Sequence, residues 1–207
     1  MQTGPILLVE DIPNVLELLE VTLRFKGYRV NSAADGLEAL EAIQRERPAL
    51  VITDILMPRL DGYALVYRLR SNPETRSIPI IFLSATYVSP DDRDFALKLG
   101  AVRFIEKPID TEEFLLTVAE VLAQGPNVES TPLQEELFYQ GYRERLEQKL
   151  RHKNSQIERL ERVIPTLPKE QKPSFKKMLE QAKKDAETIK AELQETYRIL
   201  DELKGKA

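Results

Sequence analysis

Short, almost wholly apolar runs alternate with amphipathic helical stretches over the first 123 residues, and this alternation constrains the fold more than any other feature. The predicted strands are residues 6–9, 28–32, 50–53, 78–83 and 102–105. Strands that are apolar on both faces are typical of a parallel sheet covered by helices on both sides. The sequence therefore predicts an α/β domain built from five β-α units.

A different pattern begins after this domain. Residues 124–131 contain Gly125 and Pro126 and are predicted to be a linker. Two long helices are predicted over 132–164 and 173–205, separated by a proline-rich break that no continuous helix survives. The second helix carries apolar positions in unbroken 4-3 steps: Phe175, Leu179, Ala182, Ala186, Ile189, Leu193, Thr196, Leu200 and Leu203. We expect an α/β domain at 1–123, the linker, and an antiparallel, coiled-coil-like helical hairpin at 132–207.

Polar side chains follow four of the predicted strands. Glu10 and Asp11 come after the first, Asp54 after the third, Ser84 after the fourth and Lys107 after the fifth. Because ligands bind outside the carboxyl ends of strands in open α/β sheets, we expect these five side chains to share one edge. The sequence predicts an acidic pocket that contains one cation and one hydroxyl.

The acids in this pocket favour a hard divalent cation. Carboxylates held within a few ångströms of one another repel, and Mg²⁺ bound by one or two carboxylates relieves that repulsion. A carboxylate in this pocket is also a suitable nucleophile for a phosphoryl group, because aspartyl phosphates are known covalent intermediates. Lys107 and the metal would then neutralise charge on that group, and Ser84 would donate a hydrogen bond to it.

Composition limits the other possibilities. The 207 residues include no cysteine, so disulfides and cysteine-built metal sites are excluded. No apolar run approaches 20 residues and residues 1–25 do not resemble a signal peptide, so we expect a cytoplasmic protein that does not bind membranes. The net charge of −4 divides into −6 over residues 1–124 and +2 beyond them, and neither part is basic enough to indicate nucleic-acid binding.

Four motifs together resemble the receiver domain of two-component response regulators. They are LLVED at 7–11, TDILMPRLDGYAL at 53–65, FLSAT at 82–86 and FIEKP at 104–108. The resemblance covers residues 5–123 and implies a flavodoxin-like, doubly wound sheet with strand order 2-1-3-4-5. It also implies a signalling switch that a sensor histidine kinase phosphorylates.

The resemblance assigns the metal and phosphoryl sites. Asp54 would accept the phosphoryl group, and Mg²⁺ would be the cofactor. Asp11, Asp54 and the main-chain carbonyl of Leu56 would ligate the metal directly, with Glu10 acting through a bound water. Since Leu56 offers no side chain to position an attacking water, we expect slow self-dephosphorylation.

The resemblance also assigns the switch. Lys107 and Ser84 would bind the phosphoryl group, and the bond between Lys107 and Pro108 is expected to be cis. Phe104 occupies the position of the family's aromatic switch residue. The surface formed by the fourth and fifth helices is therefore expected to change on phosphorylation.

No DNA-binding, nucleotide-binding or zinc pattern follows residue 132, so we predict output through protein–protein interaction or dimerisation of the hairpin. Homodimerisation through the fourth and fifth helices is a further possibility. One alternative is a phosphorelay intermediate in which His152, the only histidine, carries phosphate onward. Another is a Mg²⁺-dependent phosphatase or phosphotransferase, although related hydrolases place a second aspartate where this chain has Leu56. We expect no turnover of a separate substrate.

Overall fold

The computed structural model describes residues 4–84, 90–125 and 133–205. The strands β1 to β5 are Ile6–Val9, Val30–Ala33, Leu50–Asp54, Ile80–Ser84 and Arg103–Glu106. The helices α1 to α5 are Pro13–Phe25, Gly36–Arg45, Gly62–Ser71, Pro90–Lys98 and Thr111–Gln124. All five strands are parallel, in the order β2-β1-β3-β4-β5, which confirms the predicted doubly wound fold.

The strand boundaries differ from the prediction in two ways that matter for the site. Asp54 and Ser84 are the last residues of β3 and β4 rather than the first residues beyond them, because the ladder pairs Asp54 with Leu83 and Ser84 with Glu106. In addition, β2 begins at Val30 rather than at residue 28, and the Ile6 N–H of β1 donates to the Arg29 carbonyl oxygen just before it. The backbones of Asp54 and Ser84 are therefore held by pairing with the neighbouring strands.

The alternate residues of the central strands face two different helical layers. On one face, Leu8, Ile52 and Leu83 are fully buried against residues of α1 and α5 such as Leu23 and Phe114. Burial on both faces explains why the strand sequences are apolar throughout rather than alternating. The sheet is thus a rigid platform for the residues at its carboxyl edge.

A buried arginine ties the loops at the opposite end of the sheet together. Arg70 is 1% exposed, and its guanidinium donates to the carbonyl oxygens of Arg76, Ile78 and Gly100 at 2.8–2.9 Å. Burial lowers the pKa of Arg70 to about 10, which still leaves the side chain charged at neutral pH. Three carbonyl dipoles stabilise this charge.

The second compact unit is a helical hairpin. Helix α6 spans Glu135–Val163, a short 3-10 turn spans Ile164–Thr166, and α7 spans Lys172–Lys204. The prediction placed the first helix start at residue 132, but the described helix begins at Glu135. The predicted linker residues 126–131 and the predicted cap at 131 and 132 lie outside the described residues. Pro173 lies in the first turn of α7, where a missing N–H costs no helical hydrogen bond.

The two helices run antiparallel, as predicted. Lys153 pairs with Asp185 at 3.0 Å, and the Tyr197 hydroxyl donates to Glu147 at 2.6 Å. A residue later on α6 therefore contacts a residue earlier on α7. Every position of the predicted seam on α7 is buried or half-buried.

None of the helices in the described part of the chain combines the length and the apolar composition that crossing a lipid bilayer requires.

Candidate functional site

The carboxyl edge of the sheet brings together most of the residues predicted for the pocket. Glu10 follows β1, Asp54 ends β3, Ser84 ends β4 and Lys107 follows β5. Glu10, Asp54 and Ser84 are each at most 6% exposed. Asp11 lies beside Glu10 with an exposed side chain.

Lys107 bridges the two buried acids. Its Nζ donates to Glu10 Oε2 at 2.6 Å and to Asp54 Oδ1 at 2.7 Å. The Glu10 side chain is fully buried, and the Lys107 side chain is 19% exposed. Because water screens such a group poorly, this shared cation is the main source of compensation for the two carboxylates.

Burial and charge shift the pKa of Glu10 upward. Burial is the largest cause, and the neighbouring Asp54 carboxylate adds to it, while the hydrogen bond from Lys107 and the N–H of Ile12 oppose it. Glu10 is therefore more easily protonated than an exposed glutamate.

The pKa of Lys107 is also raised. Burial is the largest single influence and acts to lower it, but the hydrogen bonds to Asp54 and Glu10 and the charges of both acids together outweigh burial. Lys107 is consequently a firmly protonated cation at neutral pH.

Backbone contacts fix the orientation of Asp54. Its Oδ2 accepts the N–H of Leu56 at 2.8 Å, and the Thr53 hydroxyl donates to the Asp54 carbonyl oxygen at 2.8 Å. Gly62, at the start of α3, lies so close that an added Cβ would stand 2.2 Å from the Asp54 carbonyl oxygen. The sequence analysis missed this role of Gly62; the Asp-Gly dipeptide at 61–62 was the available signal.

The structure places Ser84 and Phe104 on neighbouring strands. The backbone N–H of Lys107 donates to the Ser84 carbonyl oxygen at 2.6 Å, so the end of β4 is joined directly to the residue that bridges the acids. Phe104 pairs with Phe82 in the ladder and is half-buried. The peptide bond between Lys107 and Pro108 is cis.

No group of three or more acidic or histidine side chains in the described ranges is gathered closely enough to hold a metal by itself. In this arrangement the Lys107 ammonium contacts both Glu10 and Asp54, and the neighbouring Asp11 is exposed. The donor set nevertheless fits Mg²⁺, which takes oxygen ligands and keeps several waters, so that one or two carboxylates suffice.

His152, the phosphorelay candidate, lies in the second compact unit. It lies on α6 in the hairpin, with an exposed side chain. Near the start of the same helix, Phe138 and Tyr142 are buried and their rings stack with centroids 5.3 Å apart, which agrees with a core role for these aromatics.

Comparison with known proteins points to one family. The family model described as the response regulator receiver domain matches residues 6–119, and no family model matches the C-terminal region. The probable transcriptional regulator ycf27 of Porphyridium aerugineum is 41% identical over 122 residues, which is 59% of this chain and 49% of that protein. Response regulator Rre1 of Synechocystis sp. is 37% identical over 149 residues, 69% of this chain and 63% of that protein.

A solved structure agrees. A putative response regulator from Chloroflexus aurantiacus superimposes with a TM-score of 0.55 and 37% identity, covering 58% of this chain and 98% of that one. The chain spans about half to two thirds of the length of the two curated relatives described above.

Proposed function

Because the chain belongs to the response regulator receiver family, we propose that it is a phosphorylation-activated switch of a two-component system with Asp54 as the phosphoacceptor. The contact that carries this proposal is the pair of short bonds from Lys107 to Asp54 and Glu10 at the carboxyl edge of the sheet. They supply a buried carboxylate nucleophile and a fixed cation beside it, which phosphoryl transfer requires.

In the proposed reaction a carboxylate oxygen of Asp54 attacks the phosphorus of a phosphohistidine on a sensor kinase. A P–O bond forms as the P–N bond breaks, and the imidazole nitrogen leaves with the bonding electrons and takes a proton from solvent. Lys107 stays protonated and pairs with the phosphoryl oxygens, while the Leu56 N–H keeps the Asp54 carboxylate oriented. Because the reaction modifies the chain itself, we expect no turnover of a separate substrate.

The residues proposed to hold Mg²⁺ are Asp11, Asp54 and the carbonyl oxygen of Leu56, with Glu10 acting through a water molecule. When bound, the metal supplies positive charge against the transferring phosphoryl group. The exposed side chain of Asp11 leaves it accessible to a hydrated ion, which supports this assignment.

Ser84 and Phe104 are proposed to carry the conformational response. A new phosphoryl group shifts an equilibrium only through contacts that differ between the two states. Ser84 and Lys107 provide such contacts, and the bond between their backbones couples them. Phe104 is half-buried on the adjoining strand, so its exposure could change in either direction.

We propose that output runs through protein interaction of the hairpin rather than through DNA. Several seam residues of α6 and α7 remain half-buried, namely Leu150, Ile157, Leu179 and Leu193. A second copy or a partner helix would cover them and complete a four-helix arrangement. One relative is named a probable transcriptional regulator, and the chain covers 49% of that protein. Binding of promoter DNA by this chain would contradict the proposed output.

The phosphoacceptor is tested by labelling with a small phosphodonor and Mg²⁺. Asp54→Asn should abolish base-labile label, whereas Asp94→Asn, an exposed aspartate on α4, should label as the wild type does. Light scattering with and without beryllofluoride then tests dimerisation, with Asp54→Asn as the control. Undiminished labelling of Asp54→Asn would overturn the assignment, and acid-labile label would favour a phosphohistidine at His152.

A further inference from the structure

The loop that follows the phosphoacceptor, residues 55–61, is attached to the start of α2 by a set of contacts that the proposed chemistry does not use. The Gly36 N–H donates to the carbonyl oxygen of Leu60 at 3.0 Å. An added Cβ at Gly36 would stand 2.6 Å from the same oxygen, so the two backbones are in close contact. The loop is therefore held against α2 by main-chain atoms that tolerate little displacement.

Arg59 adds an electrostatic clamp to this contact. Its Nη2 pairs with Asp35 Oδ2 and with Glu38 Oε1, the second contact at 2.6 Å. The Asp35 side chain is 2% exposed, and its Oδ1 accepts the N–H groups of Leu37 and Glu38 as the cap of α2. One buried carboxylate thus orders the helix start and binds the loop arginine at the same time.

The backbone at Arg59 is also unusual. Arg59 has φ of 64°, and it is the only residue other than glycine with a positive φ in the described ranges. A side chain in this left-handed region is uncommon and persists where surrounding contacts over-determine it. The ion pairs of Arg59 are contacts of that kind.

We propose that Arg59 is a positioning residue of the phosphorylation site. By fixing the loop against α2, it holds Leu56 where its N–H engages Asp54 Oδ2 and where its carbonyl oxygen is available to a metal. The inference rests on the proposed function for its consequence in Mg²⁺ binding, but the clamp itself is testable without it. Loss of the clamp should let the loop open locally while the sheet stays folded.

The main variant is Arg59→Gly, which removes the clamp and keeps a residue that accepts a positive φ without strain. Glu38→Gln is the second variant, since it removes one ion pair without touching the loop backbone. The matched control is Arg29→Gln. It removes a different Arg–Glu ion pair, which Arg29 forms with Glu46 at 3.0 Å at the opposite end of α2. All three proteins are compared by urea unfolding to establish equal global stability.

Two readouts separate positioning from general stability. Amide hydrogen exchange of Leu56, measured by NMR without metal, should accelerate about tenfold in Arg59→Gly and remain at the wild-type rate in Arg29→Gln. The Kd for Mg²⁺, followed by chemical shifts, should rise about five- to tenfold in Arg59→Gly and by a smaller factor in Glu38→Gln. Arg59→Lys should restore part of both effects, because it keeps a cation near Asp35.

Leu56 exchange within twofold of wild type in Arg59→Gly would overturn the inference, as would equal changes in Arg59→Gly and Arg29→Gln. Failure of the wild-type protein to bind Mg²⁺ or to accept phosphate would instead refute the proposed function. The exchange result in metal-free buffer would still decide whether Arg59 holds the loop. If Arg59→Gly does not fold, the comparison of Glu38→Gln with Arg29→Gln carries the same decision.

Discussion

Removing the bridging cation should change the titration of the pocket by a predictable amount. In Lys107→Met, Glu10 and Asp54 lose the ammonium that both now contact. Their contacting oxygens lie within 2.6 and 2.7 Å of one nitrogen, so they are no more than about 5.3 Å apart. At an effective dielectric constant of about 20, two charges at that separation repel by about 3 kcal/mol.

In the wild type the Lys107 ammonium offsets that repulsion, so its removal should raise the pKa of Glu10 further above its ordinary value than burial and Asp54 already do. The sign of the stability effect follows. An acid whose pKa is raised in the folded state favours folding below its unfolded pKa and loses that contribution as pH rises through the folded pKa. The variant should therefore be about 3 kcal/mol less stable near pH 8 than near pH 4.5.

The assay is a ¹³C NMR titration of the side-chain carboxyl carbons in Mg²⁺-free buffer, with urea unfolding at each pH. Lys26→Met serves as the control. Lys26 is exposed at the end of α1, so its replacement removes the same charge away from the pocket. A Lys107→Met titration within half a unit of wild type would show that the ammonium does not compensate these acids.

Three other predictions follow from features described above. Gly62→Ala should destabilise the protein by about 2–3 kcal/mol in urea unfolding, because its Cβ would collide with the Asp54 carbonyl oxygen, and a smaller loss than 0.5 kcal/mol would contradict this packing. Arg70→Met should cost about 3 kcal/mol, since three buried carbonyl oxygens lose their donor, and unchanged thermal unfolding would count against that role. The phosphorylated wild type should lose its label over minutes or longer, because Leu56 offers no polar side chain to an attacking water, whereas a lifetime of seconds would refute this.

The sequence was sufficient to predict the fold because its signals are local. Each strand is apolar on both faces, and the residue at its carboxyl end can be read directly from the sequence, which placed Glu10, Asp54, Ser84 and Lys107 at one edge. The errors were boundaries: Asp54 and Ser84 belong to their strands, and α6 begins at Glu135. Ladder pairing decides such ends, and pairing partners are distant in sequence.

The contacts within the site could not be predicted in the same way. Lys107 and Glu10 are 97 positions apart, and nothing local indicates that one ammonium contacts two acids. The pairing of Arg59 with Asp35 depends on a left-handed backbone conformation at Arg59. That conformation is usual for glycine, so an arginine in the sequence does not indicate it. These features depend on the tertiary structure, which brings residues that are distant in sequence into contact.

The shared Lys107 ammonium has a consequence for how a chemical event spreads through the sheet. Glu10 and Asp54 follow or end inner strands, but the lysine follows β5, which forms a border of the sheet. Any change of charge on either acid acts on the same cation, and so on the chain that enters α5. A chemical change at the two inner strands should therefore be felt at a border strand of the sheet as well.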